Sequence, residues 1–104
     1  MISIDKISGI AGFSSKTEKI DEKMRELYLT DEGRVFLVEN KNTIEVRCDY
    51  KLGKLLTEKY ESVMESRYFG RGGIEIVDSG QLEDNEIEDL IRLSYNISKE
   101  MEEK

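Results

Sequence analysis

Histidine, proline and tryptophan do not occur in this 104-residue sequence, and cysteine occurs once. The absence of histidine removes the commonest general base and the commonest metal ligand. The single cysteine, Cys48, cannot form a disulfide within the chain, as is usual for proteins of the reducing cytoplasm. No base is signalled that would make Cys48 a nucleophile, so we expect a small buried hydrophobic residue there. The sequence predicts a non-enzymatic cytoplasmic protein without a cofactor or a metal site.

Long apolar runs are also missing. No segment reaches the about 18 consecutive apolar residues that suggest a membrane span, and Met1 to Phe13 lacks the basic start of a signal peptide. A chain of 104 residues can form one domain with a small core. We therefore expect a single domain over residues 1–104 and a monomer. Residues 1–13 are predicted as a short helical or irregular lead-in, and residues 102–104 as a frayed tail.

The net charge of −7 is unevenly distributed. Residues 1–73 contain thirteen bases and thirteen acids, whereas the remaining residues contain three bases and ten acids. An acidic end of this kind is typical of a solvated face, and it would also suit a basic protein partner. The neutral first part leaves nucleic-acid binding open.

Hydrophobic periodicity indicates the secondary structure. Ser15 and Glu18 form a capping-box pattern, after which Ile20, Met24 and Leu27 share one side of a predicted helix. Turn signals then separate the three strands of a predicted antiparallel meander: Tyr28 to Thr30, Arg34 to Glu39 and Thr43 to Cys48. In the third strand, two groups alternate between opposite faces, namely Ile44, Val46 and Cys48 against Thr43, Glu45 and Arg47.

A second helix is predicted from Tyr50 to about Tyr60, with Asp49 as its N-cap. Its apolar face consists of Leu52, Leu55, Leu56 and Tyr60. A hairpin of Val63 to Tyr68 and Ile74 to Val77 follows, and Asp84 caps a last helix that ends near Met101. The predicted fold is α+β, with a single sheet packed against helices in the order helix, three strands, helix, two strands, helix.

The hairpin carries the strongest candidates for binding. Arg67 and Arg71 flank the aromatic pair Tyr68 and Phe69, and bases with interleaved aromatic residues can hold phosphates and stack on nucleobases. The alternative is structural: Phe69 would anchor the hairpin and the two arginines would be solvated.

From Val35 to Ile97, about two-thirds of the chain, the sequence resembles the MmcQ/YjbR family. The family's K-C-D, Y-P-G-V, L-D-G-x-L and S-Y motifs match, in the same order, Arg47-Cys48-Asp49, Tyr60-Glu61-Ser62-Val63, Asp78-Ser79-Gly80-Gln81-Leu82 and Ser94-Tyr95. The hairpin departs most from the family. Arg71 replaces the family's lysine, and Tyr68, Gly73 and Ile74 stand where the family has two histidines and a tryptophan.

The resemblance implies a compact α+β fold, similar to that of type III secretion chaperones, and a double-wing DNA-binding role. In that hypothesis the hairpin contacts phosphates together with a second group of bases: Arg34, Arg47, Lys51 and Lys54. The alternative hypothesis is a chaperone-like adaptor that binds a basic partner through an apolar groove and the acidic C-terminal helix.

Overall fold

The computed structural model describes Ile10 and residues 12–101. Six strands and two helices follow one another along the chain: β1 (Phe13–Ile20), β2 (Lys23–Thr30), β3 (Val35–Glu39), β4 (Thr43–Arg47), α1 (Tyr50–Lys59), β5 (Val63–Ser66), β6 (Gly70–Val77) and α2 (Asp84–Glu100). The strands form one antiparallel sheet in the order β1-β2-β3-β4-β6-β5. The α+β class and the single sheet packed against helices are therefore confirmed. The predicted lead-in lies largely, and the predicted frayed tail wholly, outside the described residues.

Both helices pack on the same face of the sheet, which we call the helical face. Its central strand residues are Ile44 and Val46 on β4 and their partners Ile76 and Ile74 on β6, all at most 1% exposed. Apolar residues of α2 complete this core with Ile87, Ile91 and Tyr95. Gly53 of α1 lies so close that a Cβ atom there would be 3.3 Å from Ile74 Cγ2, so this glycine packs against a side chain.

The predicted helix over Ser15 to Leu27 is wrong, because these residues form the β1–β2 hairpin. The strands pair from Phe13 with Thr30 to Ile20 with Lys23. The connection is the two-residue turn Asp21-Glu22, in which both residues have positive φ angles of 51° and 66°. Two-residue hairpin turns favour this backbone conformation, but asparagine and glycine usually supply it. The turn therefore gave no recognisable signal in the sequence.

The strands of the predicted meander and of the second predicted hairpin also differ in detail from those of the structure. The β2–β3 register shifts between Tyr28 and Leu29, which leaves Phe36 as an extra residue on β3. Phe36 and Leu37 consequently both join the helical core. In the second hairpin β5 ends at Ser66 and β6 begins at Gly70, so the glycines predicted as a loop are part of a strand.

The two helices after residue 49 are confirmed. Asp49 caps α1 by accepting hydrogen bonds from the backbone nitrogens of Lys51 and Leu52. Leu55 is an exception to the predicted apolar face, because 64% of it is exposed. The N-cap of α2 is Glu83 and not Asp84, and Glu83 forms a capping box with Glu86.

Candidate functional site

Two carboxylates are buried on the face of the sheet that carries no helix, which we call the open face. Glu45 of β4 and Glu75 of β6 are direct cross-strand partners, and they are 0% and 2% exposed. Adjacent buried like charges are costly unless each is neutralised and hydrogen-bonded. The surroundings of this pair therefore determine the structure of the open face.

Glu45 is held mainly by groups of the β5–β6 loop. Its Oε1 accepts hydrogen bonds from Ser66 Oγ at 2.8 Å and from the backbone nitrogen of Tyr68 at 2.8 Å. Its Oε2 accepts from Asn40 Nδ2 at 3.0 Å and from Arg25 Nη1 at 3.4 Å. Arg25 is itself only 4% exposed. The first two contacts hold the loop on the open face, and the last two tie Glu45 to the β3–β4 turn and to β2.

Glu75 binds Arg67, the first of the predicted phosphate-binding residues. Arg67 donates from Nε to Oε1 at 3.0 Å and from Nη2 to Oε2 at 2.8 Å, and Thr43 Oγ1 donates to Oε2 at 2.7 Å. Burial by itself raises the pKa of Glu75, but the hydrogen bonds from Arg67 and Thr43 outweigh it and hold that pKa below its ordinary value. The carboxylate is therefore charged at neutral pH. Arg67 is a structural partner of Glu75 with part of its guanidinium still in solvent.

The aromatic pair of the loop packs against the sheet. Phe69 lies over Gly73, where a Cβ atom would be 2.7 Å from Phe69 Cβ and 2.5 Å from the carbonyl oxygen of Val46. The Arg47 guanidinium covers the Phe69 ring at 4.7 Å, and Arg47 Nε donates to the carbonyl oxygen of Val35 at 2.8 Å. Phe69 therefore anchors the loop. Tyr68 contacts Phe69 edge to face at 4.9 Å and keeps 38% of its surface exposed.

The remaining predicted residues lie elsewhere. Arg71 lies 5.9 Å from the centre of the Tyr50 ring and lines a shallow cleft of about 150 Å³ with Lys54. Lys51 is exposed on α1. Arg34 donates to the carbonyl oxygen of Ser98, near the end of α2, at 3.3 Å. The structure thus brings Arg47 together with Phe69 and Arg71 together with Lys54, but it does not gather all eight predicted residues into one surface.

A larger cleft on the same structure was missed by sequence reasoning. Its volume is about 480 Å³, and it lies between the start of β2, the β3–β4 turn and Arg67. Four of its lining residues are cations and none is an acid; the lining consists of Lys23, Met24, Arg25, Asn40, Lys41, Asn42, Thr43 and Arg67. We call it the cationic cleft. No local motif marks it, because three separate segments contribute to it.

Two atoms at the cationic cleft lack hydrogen-bond partners. Among the described residues, Arg25 Nε and Asn40 Oδ1 are the buried side-chain nitrogen and oxygen atoms without one. One is a donor and the other an acceptor. Buried polar atoms are rarely left unpaired, so these two are a candidate contact point for a ligand or water.

Other chemistry is not indicated in the described part of the chain. No three or more residues among the possible metal ligands His, Cys, Asp and Glu are grouped in residues 10 and 12–101 to hold an ion. Cys48 is buried, as predicted, and burial together with the charge of Asp49 raises the pKa of its thiol to about 11. A thiol of this kind is a poor nucleophile at neutral pH. Neither described helix is long and apolar enough to cross a membrane.

Comparison with known proteins gives similarity of fold only. No family model and no curated protein matches the sequence. The crystal structure of Deinococcus radiodurans protein DR2400, a DUF419 domain, aligns with a TM-score of 0.71 at 12% identity, over 83% of this chain and 69% of that chain. The two proteins share a fold. The α+β fold that they share agrees with the fold that the sequence resemblance implied.

Proposed function

We propose that this protein is a non-enzymatic nucleic-acid-binding domain that contacts phosphates through the open face of its sheet. The observation that carries the proposal is the separation of charge by the sheet. The acidic helix α2 packs on the helical face, whereas the open face presents the cationic cleft together with Arg47. Phosphate contacts supply most of the affinity of non-specific nucleic-acid binding.

Three acids of the open face are paired, whereas Asp21 of the β1–β2 turn adds a negative charge that acts on Arg67. Glu45 and Glu75 are buried against Arg25 and Arg67. Glu18, which lies opposite Arg25 on the neighbouring strand, pairs with Lys16 at 3.5 Å. An approaching phosphate backbone would therefore meet mainly positive charge there, while the surplus acids would point away from it.

The exposed aromatic ring of Tyr68 supports the same proposal. It stands on the loop between Arg67 and the Arg47–Phe69 contact and keeps its position through the edge-to-face contact with Phe69. A fixed, partly exposed ring can stack on an unpaired base without selecting its sequence. We therefore expect a preference for single-stranded over double-stranded nucleic acid of equal length.

Binding is tested by fluorescence anisotropy with labelled oligonucleotides over a salt series. Lys23 and Lys41 are the variants of choice because they are exposed and make no ion pair with any described residue. Replacing both with Gln removes up to two phosphate contacts, so the slope of log K against log salt falls by about 2. The matched control is Lys51→Gln plus Lys54→Gln on α1, which removes the same charge from the other side of the sheet.

Three results would contradict the proposal: no binding at low salt, binding that does not depend on salt, or a larger loss in the α1 control than in the open-face variant. The last result would place the interface on α1 and Arg71, as one part of the sequence hypothesis has it. Reversing Arg67 is a poor test, since it would leave Glu75 without its partner and unfold the loop.

An adaptor role is the second candidate, and the exposed side of α2 favours it. This side carries Glu100 and Asp89, the latter paired with Arg92 at 2.9 Å, together with Leu93, which is 36% exposed. Acidic residues around an exposed apolar residue suit a basic amphipathic peptide. Recovery of a protein partner from the host whose binding is lost on Leu93→Asp would support this role, and recovery of none would count against it.

A further inference from the structure

The cationic cleft has the properties of a small-molecule site within the open face. We propose that it binds a phosphate monoester with a hydroxyl group near the phosphate, as found in a nucleoside monophosphate or at the phosphorylated end of a nucleic-acid strand. This inference shares residues with the proposed function, but it rests on different observations: the charge, the unpaired atoms and the size of the cleft.

The charge of the cleft suits a phosphate monoester. Arg25 and Arg67 are balanced by the buried carboxylates of Glu45 and Glu75. Lys23 and Lys41 have no such partner among the described residues. Asp21 of the β1–β2 turn also acts electrostatically on Arg67, so the surplus of positive charge at the cleft is modest. This surplus suits a phosphate monoester, which carries a charge of about −1.5 to −2 at neutral pH.

The two unpaired atoms specify the rest of the ligand. Arg25 Nε is a donor suited to a phosphate oxygen, and Asn40 Oδ1 is an acceptor suited to a hydroxyl group. Both atoms are closed to solvent in the free protein, so a ligand contacts them only after a small movement of the two side chains. The amide of Asn40 is oriented by its own contacts, because Nδ2 donates to Glu45 Oε2 at 3.0 Å and to Thr43 Oγ1 at 2.8 Å. A phosphate alone satisfies only the arginine. A phosphate with a neighbouring sugar hydroxyl satisfies both atoms.

The recognising groups are preorganised. Glu45 holds both Arg25 and Asn40, and Glu75 holds Arg67 through two hydrogen bonds. Side chains that are fixed before binding lose little conformational entropy when the ligand arrives. The cleft volume of about 480 Å³ lies within the range of small-molecule sites. The exposed side chain of Met24 offers an apolar wall for the organic part of the ligand.

Isothermal titration calorimetry and NMR chemical-shift mapping with adenosine 5′-monophosphate, inorganic phosphate and adenosine test the inference. We expect the monophosphate to bind more tightly than either fragment and to shift the signals of Asn40 and its neighbours in the cleft. Lys23→Gln plus Lys41→Gln should weaken monophosphate binding about 10-fold or more, on the basis that each charge-assisted contact contributes on the order of 1 kcal/mol. Lys51→Gln plus Lys54→Gln should leave it unchanged.

Asn40→Asp tests whether a phosphate lies close to position 40. It keeps an acceptor at this position but adds a negative charge and removes the donor to Glu45, so we expect loss of monophosphate binding. Because this change also strains the fold, Lys41→Gln alone serves as the second variant and should weaken binding without lowering the melting temperature. Equal binding of adenosine and its monophosphate, or shifts confined to residues outside the cleft, would overturn the inference. Failure of every probe to bind would overturn it too.

Oligonucleotides distinguish this inference from the proposed function. If the monophosphate binds in the cleft and no oligonucleotide binds, the inference stands and the proposed function fails. If oligonucleotides bind with and without a 5′-phosphate equally and the monophosphate does not bind, the proposed function stands and the inference fails. Tighter binding of the 5′-phosphorylated strand, lost in the cleft variant, identifies a strand end as the source of the phosphate.

Discussion

Removal of Arg67 should destabilise the fold in a way that depends on pH. Arg67→Met keeps most of the length of the side chain but leaves Glu75, only 2% exposed, without its bidentate partner. Breaking a buried ion pair from one side typically costs about 3–5 kcal/mol. Here Thr43 still donates one hydrogen bond, and Arg67 is 58% exposed, so that water can replace part of the contact. We therefore expect a loss of about 2–3 kcal/mol at neutral pH.

The sign of the pH dependence follows from Glu75. Its pKa in the folded protein lies below the ordinary value of 4.5, so the ion pair contributes stability that is present above pH 4.5. This stability is lost as the pH falls through the lower, folded-state pKa. In the variant, burial is the dominant remaining influence, and it raises the pKa. The difference in unfolding free energy between the two proteins should therefore be largest at neutral pH and shrink in acid.

Urea unfolding followed by circular dichroism measures this difference, and the melting temperature should fall by about 10 °C at neutral pH. Arg71→Met is the matched control, since the Arg71 guanidinium has only the 5.9 Å contact with Tyr50 among the described residues, and it should cost less than about 1 kcal/mol. Glu75→Gln combined with Arg67→Met should recover part of the loss, because position 75 then holds no buried charge without a partner. A cost below about 0.5 kcal/mol, or an equal cost in acid, would refute the role assigned to Arg67.

Three further predictions concern single positions. Gly73→Ala should destabilise the protein by about 1–3 kcal/mol, because its Cβ would lie 2.5 Å from the carbonyl oxygen of Val46. Gly72→Ala is the control in thermal unfolding, since its Cβ would lie 3.6 Å from the carbonyl oxygen of Phe69. Glu22→Gly should instead stabilise it by about 1 kcal/mol by relieving the positive φ angle of 66°, and a lower melting temperature would contradict this. Burial and the charge of Asp49 raise the pKa of Cys48 from 9.0 to about 11. The stability that the protonated thiol contributes should be complete below pH 9.0 and should fall by about 2–3 kcal/mol as the pH rises to about 11. The Cys48→Ala variant should lack this part of the decline in unfolding free energy.

The second half of the fold could be predicted from the sequence because its signals are local. Asp49 caps α1, and Ile87 and Ile91 recur along α2 at helical spacing and are buried. The alternation of Ile44 and Val46 with Glu45 correctly assigns the two faces of β4. In each case the residue type, its spacing and its burial point to the same element.

The β1–β2 hairpin could not be predicted because its local signals point to a helix. Ile20, Met24 and Leu27 have helical spacing, but only Leu27 is buried in the sheet. The buried residue next to Leu27 on the same face of β2 is Arg25. Because Arg25 is charged, the sequence does not show the alternation of apolar and polar residues that is typical of a strand. Pairing with β3 decides the structure of this segment. That is a contact between distant parts of the chain.

The candidate site was missed for the same reason as the hairpin. Glutamates that alternate with apolar residues predict a solvated face, and Glu45 and Glu75 do lie opposite the helical core. They are buried because residues 66–70 fold over them. Hydrogen bonds from this loop to the two carboxylates hold it there. The charges of the open face thus hold the loop in place, and the loop in turn places Arg67 at the cationic cleft.

This arrangement couples the cleft to the integrity of the sheet. Glu45 accepts hydrogen bonds from Arg25 and Asn40 at Oε2, and it accepts one from the backbone nitrogen of Tyr68 at Oε1. A change of Glu45 would therefore affect both the loop and the two residues that carry the unpaired atoms of the cleft. Glu45→Gln retains the size of the side chain but loses the charge that attracts Arg25. The variant should therefore bind phosphate more weakly than the wild-type protein. A count of charges alone would predict tighter binding, because the carboxylate that is removed would repel a phosphate.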